Sequence, residues 1–422
     1  MKKPAVLALA LSCFAVASFG QPMSGTLTCW TWTAKAIQFI TPAFQKAYPG
    51  IKIDVTPMSW PDTHDKVFVA IASGSGVPDL LTIDSSYIQK FIEQGGLLDM
   101  TGFIDSVRAK FPTYKIANDS DSRGHVFAVP FDCGPVGLYY QQALVDVYKL
   151  TLPKTWAEWI TLGKRLKAAG VYMNTISRGV AAMDPTMPGE AGLHAILTQQ
   201  QGGAYFDARL RPTLDSRESV AAMKLIKQMV DAGIAADVAQ GSPAYYDMYN
   251  EGQVLGLISA AWYVNVLNDF VTPDMAQFGK WRVAAMPAFA PGGARASNLG
   301  GSELAIAART PEDQRRMAMA FISWACASVA GARAHADYGE FPAFMPAWPT
   351  DIIQNKTFPV LGDQKVYRLF AQITPTVPAT WRLPPQLARI QAILEARMNA
   401  ILTGAVSVDK GLADAQAEAL AN

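Results

Sequence analysis

An α/β fold follows from three features of the sequence. Residues 48–102 read as a strand, a helix, a glycine-punctuated turn and a second strand. Short strand-like runs alternate with amphipathic helices along the rest of the chain, and no tandem repeat, heptad array or low-complexity tract interrupts them. With 422 residues, 50% hydrophobic and 17% charged, the chain can bury substantial cores and divide into two domains.

The elements follow in order. Lys2 and Lys3 precede an apolar run over 5–19 and then small residues, the order of a secretory signal, and the run is too short to span a bilayer. Cleavage after Gly20 leaves Ser18 and Gly20 at the small-residue positions, so 1–20 is expected to be a signal peptide and the mature chain to lie in the periplasm. An earlier cut near 15–17, or lipidation at Cys13, is the alternative. Residues 26–32 read as a first strand and 34–48 as its helix. Tyr48-Pro49-Gly50 breaks the chain, after which Ile51, Ile53 and Val55 alternate with Lys52, Asp54 and Thr56 as in a half-buried strand. Val67, Phe68 and Ile71 then recur at helical spacing until the glycines and proline of 73–78 end the helix. Residues 79–83 are a short apolar strand, and Asp84-Ser85-Ser86 carries side chains suited to capping a helix over 87–94. A polar group therefore stands at the carboxyl end of a strand, an arrangement suited to a binding cleft.

Further on, 126–130 and 136–141 read as extended. Thr155 and Glu158 form a capping box for a helix to 169, and Asp215 to Glu218 repeat that logic before a helix over 220–232. Thr310-Pro311-Glu312-Asp313 starts a third helix, while 254–258 and 302–307 are buried-strand candidates.

The bulk chemistry excludes several functions. A formal charge of +1, lower by two without Lys2 and Lys3, provides no electrostatic footprint for nucleic acid or anionic lipid. After loss of Cys13, Cys29, Cys133 and Cys326 lack metal or redox spacing; three buried thiols are expected, with one disulfide plus a free thiol as the alternative. His64, His125, His194 and His335 form no cluster and read as solvated or locally satisfied, so no metal site is expected. A zincin helix, phosphate loop, dinucleotide fingerprint and serine elbow are all missing, and no cofactor is expected.

An ordered set of short motifs carries a resemblance. Tyr48-Pro49-Gly50-Ile51-Lys52-Ile53, Ala70-Ile71-Ala72-Ser73-Gly74, Pro78-Asp79-Leu80 and Gly96-Leu97-Leu98-Asp99-Met100-Thr101 are similar, in order and spacing, to the family 1 extracellular solute-binding proteins, the sugar-capturing subunits of bacterial ABC importers. Gly124 to Pro130, Leu138 to Gln141, Pro153 to Glu158, Gly202 to Asp207, Tyr249 to Gln253, Ala260-Ala261-Trp262, Met286-Pro287, Gly300-Gly301 and Tyr338 to Ala343 extend it over nearly all of the mature chain. Two departures stand out. Ala260-Ala261 replaces a usual glycine before the tryptophan, and Gln141-Gln142 replaces the common Asn-Lys, the latter read as a surface difference.

The resemblance implies a maltose-binding-protein-like, type II periplasmic binding protein fold: two discontinuous α/β lobes joined by hinge segments. The N-terminal lobe is expected over 21–130 and 287–335 and the C-terminal lobe over 131–286 and 336–422, with crossings near 130–135, 281–287 and 328–338. It further implies capture of a mono- or oligosaccharide between the lobes by a monomer that delivers it to membrane permease subunits coupled to a cytoplasmic ATPase. Such a cleft needs aromatic plates for the sugar's apolar faces and carboxylates or amides for its hydroxyls.

Candidate binding residues follow from that chemistry. Trp30 and Trp32, two apart on a strand, face one side and meet a helix start at Thr33. Although an isolated tryptophan more often packs in a core, the resemblance brings Trp32 and Trp262 forward, and Trp381 is retained beside them. Asp84 is the leading carboxylate, with a helix cap as its alternative role; Asp79 reads as structural. Asp132 lies in a crossing segment, Gly300, Gly301 and Ser302 offer close backbone approach, and Glu340 lies in a glycine-proline turn. Rival readings are a receptor for a polyol, a glycerophosphodiester or another small solute, including anions held by arginines such as Arg295, Arg309 or Arg382, and a secreted glycosidase with two carboxylates across a sugar.

Overall fold

The computed structural model describes residues 23–177, 190–381 and 383–421. The expected signal peptide and Arg382 lie outside the described residues.

Two sheets organise the chain. The first has the order β2-β1-β3-β10-β4, from β1 (Gly25–Thr31), β2 (Ile51–Pro57), β3 (Leu80–Asp84), β4 (Val129–Pro130) and β10 (Ser302–Ile306). Strands β1, β2 and β3 pair in parallel, whereas β10 arrives from late in the chain and pairs antiparallel with β3 and β4. Parallel pairing requires helical crossovers. These are α1 (Ala34–Ala47) and α2 (Trp60–Ser73), and α3 (Ile88–Glu93) follows β3. Ser59 caps α2 by accepting from Asp62 N, and Gly74 ends it with φ 69°.

In the second sheet, β5 (Val136–Gln141) lies between β8 (Gly256–Ala260) and β9 (Trp281–Ala285), antiparallel to both. The parallel pair β6 (Asn174–Ile176) and β7 (Ala235–Asp237) joins beside β8 through a Tyr172–Val254 bridge. The capping box at Thr155 and Glu158 forms as expected on the helix Trp156–Lys167. On the helix Arg217–Asp231 the cap is Ser216, one residue later than expected, accepting from Ser219 N at 3.3 Å.

One apolar core lies under the first sheet, α1 and the helix Glu312–Ala327, and continues through Phe341 and Phe370 to β9. A second fills the far face of the second sheet with Trp156, Trp159 and the helices Leu387–Leu402 and Val408–Leu420. A third packs α2 and α3 on the first sheet. Cys29, Cys133 and Cys326 are buried free thiols, as expected. Among the described residues no single helix is long and apolar enough to cross a membrane.

The segments linking the two sheets differ from the expected ones at two of three places. Residues 131–135 cross as expected. Residues 281–285, however, are β9 itself, and the chain crosses later: Leu299 N donates to Gly134 O at 2.9 Å and Val136 N to Ser297 O at 2.9 Å. Residues 329–338 form a helix packed on α1, so the third crossing is the stretch after it, where Cys133 N donates to Phe341 O at 3.1 Å and Ala343 N to Phe131 O at 3.2 Å. At Gly134 a Cβ would fall 2.0 Å from Leu299 O, so the first two crossings touch only because that residue is glycine. Gln141 also departs from its expected surface role: it is fully buried, and its Nε2 donates to Tyr249 O at 2.7 Å and Val254 O at 3.0 Å.

Candidate ligand-binding site

Asp84 ends β3, and its main chain is held from two sides. Its amide donates to His64 Nε2 at 3.0 Å, and its carbonyl accepts from Tyr87 N at 2.9 Å. Its Oδ1 accepts from Ser86 N at 2.8 Å and from the Ser86 hydroxyl. The carboxylate thus braces the turn before α3.

Asp84 Oδ2 is turned toward Gly300 in the second crossing. A Cβ built at Gly300, where φ is 62°, would lie 3.8 Å from Asp84 Oδ2 and 3.6 Å from Trp262 Nε1. A glycine in left-handed backbone therefore separates a carboxylate at the end of one sheet from an indole that follows the other. Trp262 lies two residues past the end of β8, is half-buried, and donates from Nε1 to Leu299 O at 3.1 Å. Its edge is thereby anchored to the crossing segment while part of its ring remains exposed.

Trp32 lies just past β1 against the ring of His64, centroids 4.8 Å apart. Thr33 starts α1 with its carbonyl, accepting from Ala36 N at 2.9 Å, while its hydroxyl pairs with that of Thr31 at 3.0 Å. Trp60 and Tyr87 complete an aromatic group that sequence reasoning did not single out: Tyr87 stacks on His64 at 4.1 Å, and Trp60 packs at 5.1 Å from both. The available signal was helical spacing, with Trp60 and His64 four apart on α2 and Tyr87 immediately before α3.

The other candidates serve the crossings. Asp132 and Ser302 are buried and joined to each other, Asp132 Oδ1 accepting from both Ser302 N and its hydroxyl. Burial, and then the nearby Glu340, raise the Asp132 carboxyl above its usual range. Glu340 is buried and bonded to His335 Nε2, and the His335 ring stacks on Phe131 at 3.8 Å. Gly301, with φ 109°, accepts at its carbonyl from Ser85 N at 3.0 Å, and a Cβ there would meet Lys115 Nζ at 2.8 Å. Trp381 packs on Tyr205 beside the second core, centroids 4.9 Å apart. The structure therefore gathers Asp84, Gly300 and Trp262 at one point and Trp32 and Thr33 at the end of β1. It places Asp132, Gly301, Ser302 and Glu340 at the joints and Trp381 against Tyr205 beside the second core.

Beneath the joints lies a buried charge group. Lys115 forms an ion pair with Glu303, and the Ser85 hydroxyl accepts from Lys115 Nζ at 2.8 Å and donates to Glu303 Oε1 at 2.8 Å. Burial opposes the lysine's charge, but Glu303 and Asp119 outweigh it and raise its pKa. Arg295 is spent on the carbonyls of Met286 and Ala285, Arg309 lies by Gly74, and the described residues contain no cluster able to hold a metal. Asp79 is structural, accepting from Thr28 N at 2.9 Å. His194 is locally satisfied between Tyr205 Oη and Ser219 O, and burial pushes it down to about 4.

Comparison with known proteins supplies what geometry alone does not. The model of one family, described as bacterial extracellular solute-binding protein, matches residues 30–330. The arabinooligosaccharide-binding protein of Halalkalibacterium halodurans is 25% identical over 313 residues, covering 71% of this chain and 66% of that protein's length. The lactose-binding protein of Rhizobium radiobacter is 27% identical over 317 residues, covering 71% and 69%. Among solved structures, the transporter-associated binding protein of B. animalis subsp. lactis in complex with β-1,6-galactobiose superposes with a TM-score of 0.74 at 22% identity, covering 94% of this chain and 96% of that one. The fold is that of the two-lobed solute-binding proteins.

Proposed function

We propose, because the chain belongs to the bacterial extracellular solute-binding protein family, that it captures a mono- or oligosaccharide outside the cytoplasm and delivers it to an ABC permease. One observation carries the reading: Asp84 and Trp262, from different sheets, flank Gly300. A carboxylate that accepts hydroxyl protons beside an indole that covers an apolar sugar face is the pairing a carbohydrate requires. The relatives named for arabinooligosaccharides and lactose support the ligand class. The sequence of the first 20 residues supports export to a periplasm through a cleaved signal.

The lobes meet at the three crossings, with 286–297 assigned to the second lobe because Ala288 N donates to Lys154 O at 2.8 Å and Met286 packs in the second core. The chain works without turnover. A glycosidase needs two carboxyl groups across the bond it cleaves, and Asp132 and Glu340 are already committed to Ser302 and His335.

A thermal-shift screen of mono-, di- and oligosaccharides, polyols and glycerophosphodiesters tests the reading. A ligand at a hundred times its dissociation constant stabilises the native state by about 2.7 kcal/mol. A shift with neutral saccharides is expected; a shift confined to anions would overturn the carbohydrate assignment.

A further inference from the structure

His64 is a buried polar side chain that touches both the aromatic group and Asp84. It is 1% exposed on α2, enclosed by Trp32, Trp60 and Tyr87. Its Nδ1 lies 2.7 Å from Trp60 O, a carbonyl that can only accept, so Nδ1 carries the proton. Its Nε2 faces the Asp84 amide at 3.0 Å, and an amide can only donate, so Nε2 carries a lone pair. Both contacts are satisfied by one neutral tautomer and by no other form of the ring. A proton on Nε2 would set two N–H donors against each other at the residue whose carboxylate faces the cleft.

We propose that His64 is a positioning residue: neutral, it aims Asp84 into the cleft, and its protonation releases Asp84 and lowers carbohydrate affinity in acid. This rests on the carbohydrate reading above. The charged and titratable groups around the ring are Asp84 at the end of β3, Asp65 on α2 itself, and Lys90 and the Tyr87 hydroxyl from the α3 side. Burial is the largest influence and favours the neutral ring; Asp84 and Asp65 oppose it, and Lys90 adds to it, with the balance below the usual histidine value. The sign follows. At neutral pH the lone pair is present and Asp84 is held. As pH falls through the folded-state value, below about 6.5, the ring gains its second proton and the hold is lost.

Two variants separate this from a packing role. His64→Gln keeps an acceptor for the Asp84 amide and cannot titrate, whereas His64→Phe keeps the ring stack and loses both hydrogen bonds. Without ligand, the Asp84 amide resonance should follow a single acid transition in the wild type that is absent in His64→Gln. With arabinotriose and lactose as probes, wild-type affinity should fall at least tenfold across the same transition. His64→Gln should stay within about threefold of neutral wild type at every pH, and His64→Phe should lose about tenfold already at neutral pH. An Asp84 resonance that does not titrate, or wild-type and His64→Gln affinities with the same pH profile, would overturn the proposal. If the resonance titrates as expected and neither sugar binds at any pH, the coupling of His64 to Asp84 stands and the carbohydrate reading is what failed.

Discussion

Trp262 shows how one side chain can belong to fold and site together. Its Nε1 is used on Leu299 O, which fixes the ring's edge, so ligand contact is left to the ring's exposed surface. Trp262→Ala should therefore weaken saccharide binding by about 2 kcal/mol, roughly thirtyfold, because a stacked and desolvated indole is lost. Isothermal titration reads the affinity and circular dichroism the fold; unchanged affinity, or an unfolded apo variant, would make the ring a packing residue. Asp132, Ser302 and Glu340 lie among glycines and prolines, where side chains look available, yet Asp132 and Ser302 bond each other from distant segments and Glu340 bonds His335 on the helix just before it.

At the scale of elements, local rules worked where both partners are local. The Thr155–Glu158 box spans four residues, and the structure forms it as expected. Buried polar groups with distant partners behaved differently. Gln141 reads as surface by composition but serves two carbonyls between β5 and β8. Lys115, on the short helix Thr113–Asn118, pairs with Glu303 on β10, so it ties a peripheral helix to the strand that enters the first sheet last. Lys115→Met should destabilise the protein by about 3–5 kcal/mol, since Glu303 would be left buried without the charge it is paired with. Urea unfolding at neutral pH measures this; a loss below about 1 kcal/mol would mean that the pair contributes little.

For the whole molecule, the consequence lies in the joints. Three short segments near 131–135, 298–302 and 339–343 connect the sheets, held by backbone bonds and by the Asp132–Ser302 link. A ligand touching Asp84 on one side and Trp262 on the other makes all its contacts only when the two sides are close, so binding should favour a closed arrangement. Small-angle scattering with and without the saccharide found in the screen should show a smaller radius of gyration on binding. An unchanged curve at saturation would rule out hinge closure while leaving capture intact.

The alternation in 48–102, the strand over 136–141 and the cap at Thr155 were legible because each depends on side chains within a turn or a strand of one another. So was the placing of Asp84 at a strand end, and the order of short motifs identified the family. What only the tertiary structure decided was every relation between distant segments. Trp60, His64 and Tyr87 form one aromatic group because α2 packs beside the end of β3; Gly300 stands between Asp84 and Trp262 because β10 enters the first sheet between β3 and β4; and the crossings at 298–302 and 339–343 are defined by hydrogen bonds to 131–135. Local propensity acts over a few residues, whereas pairing across a hundred or more is chosen by the packing of the whole core.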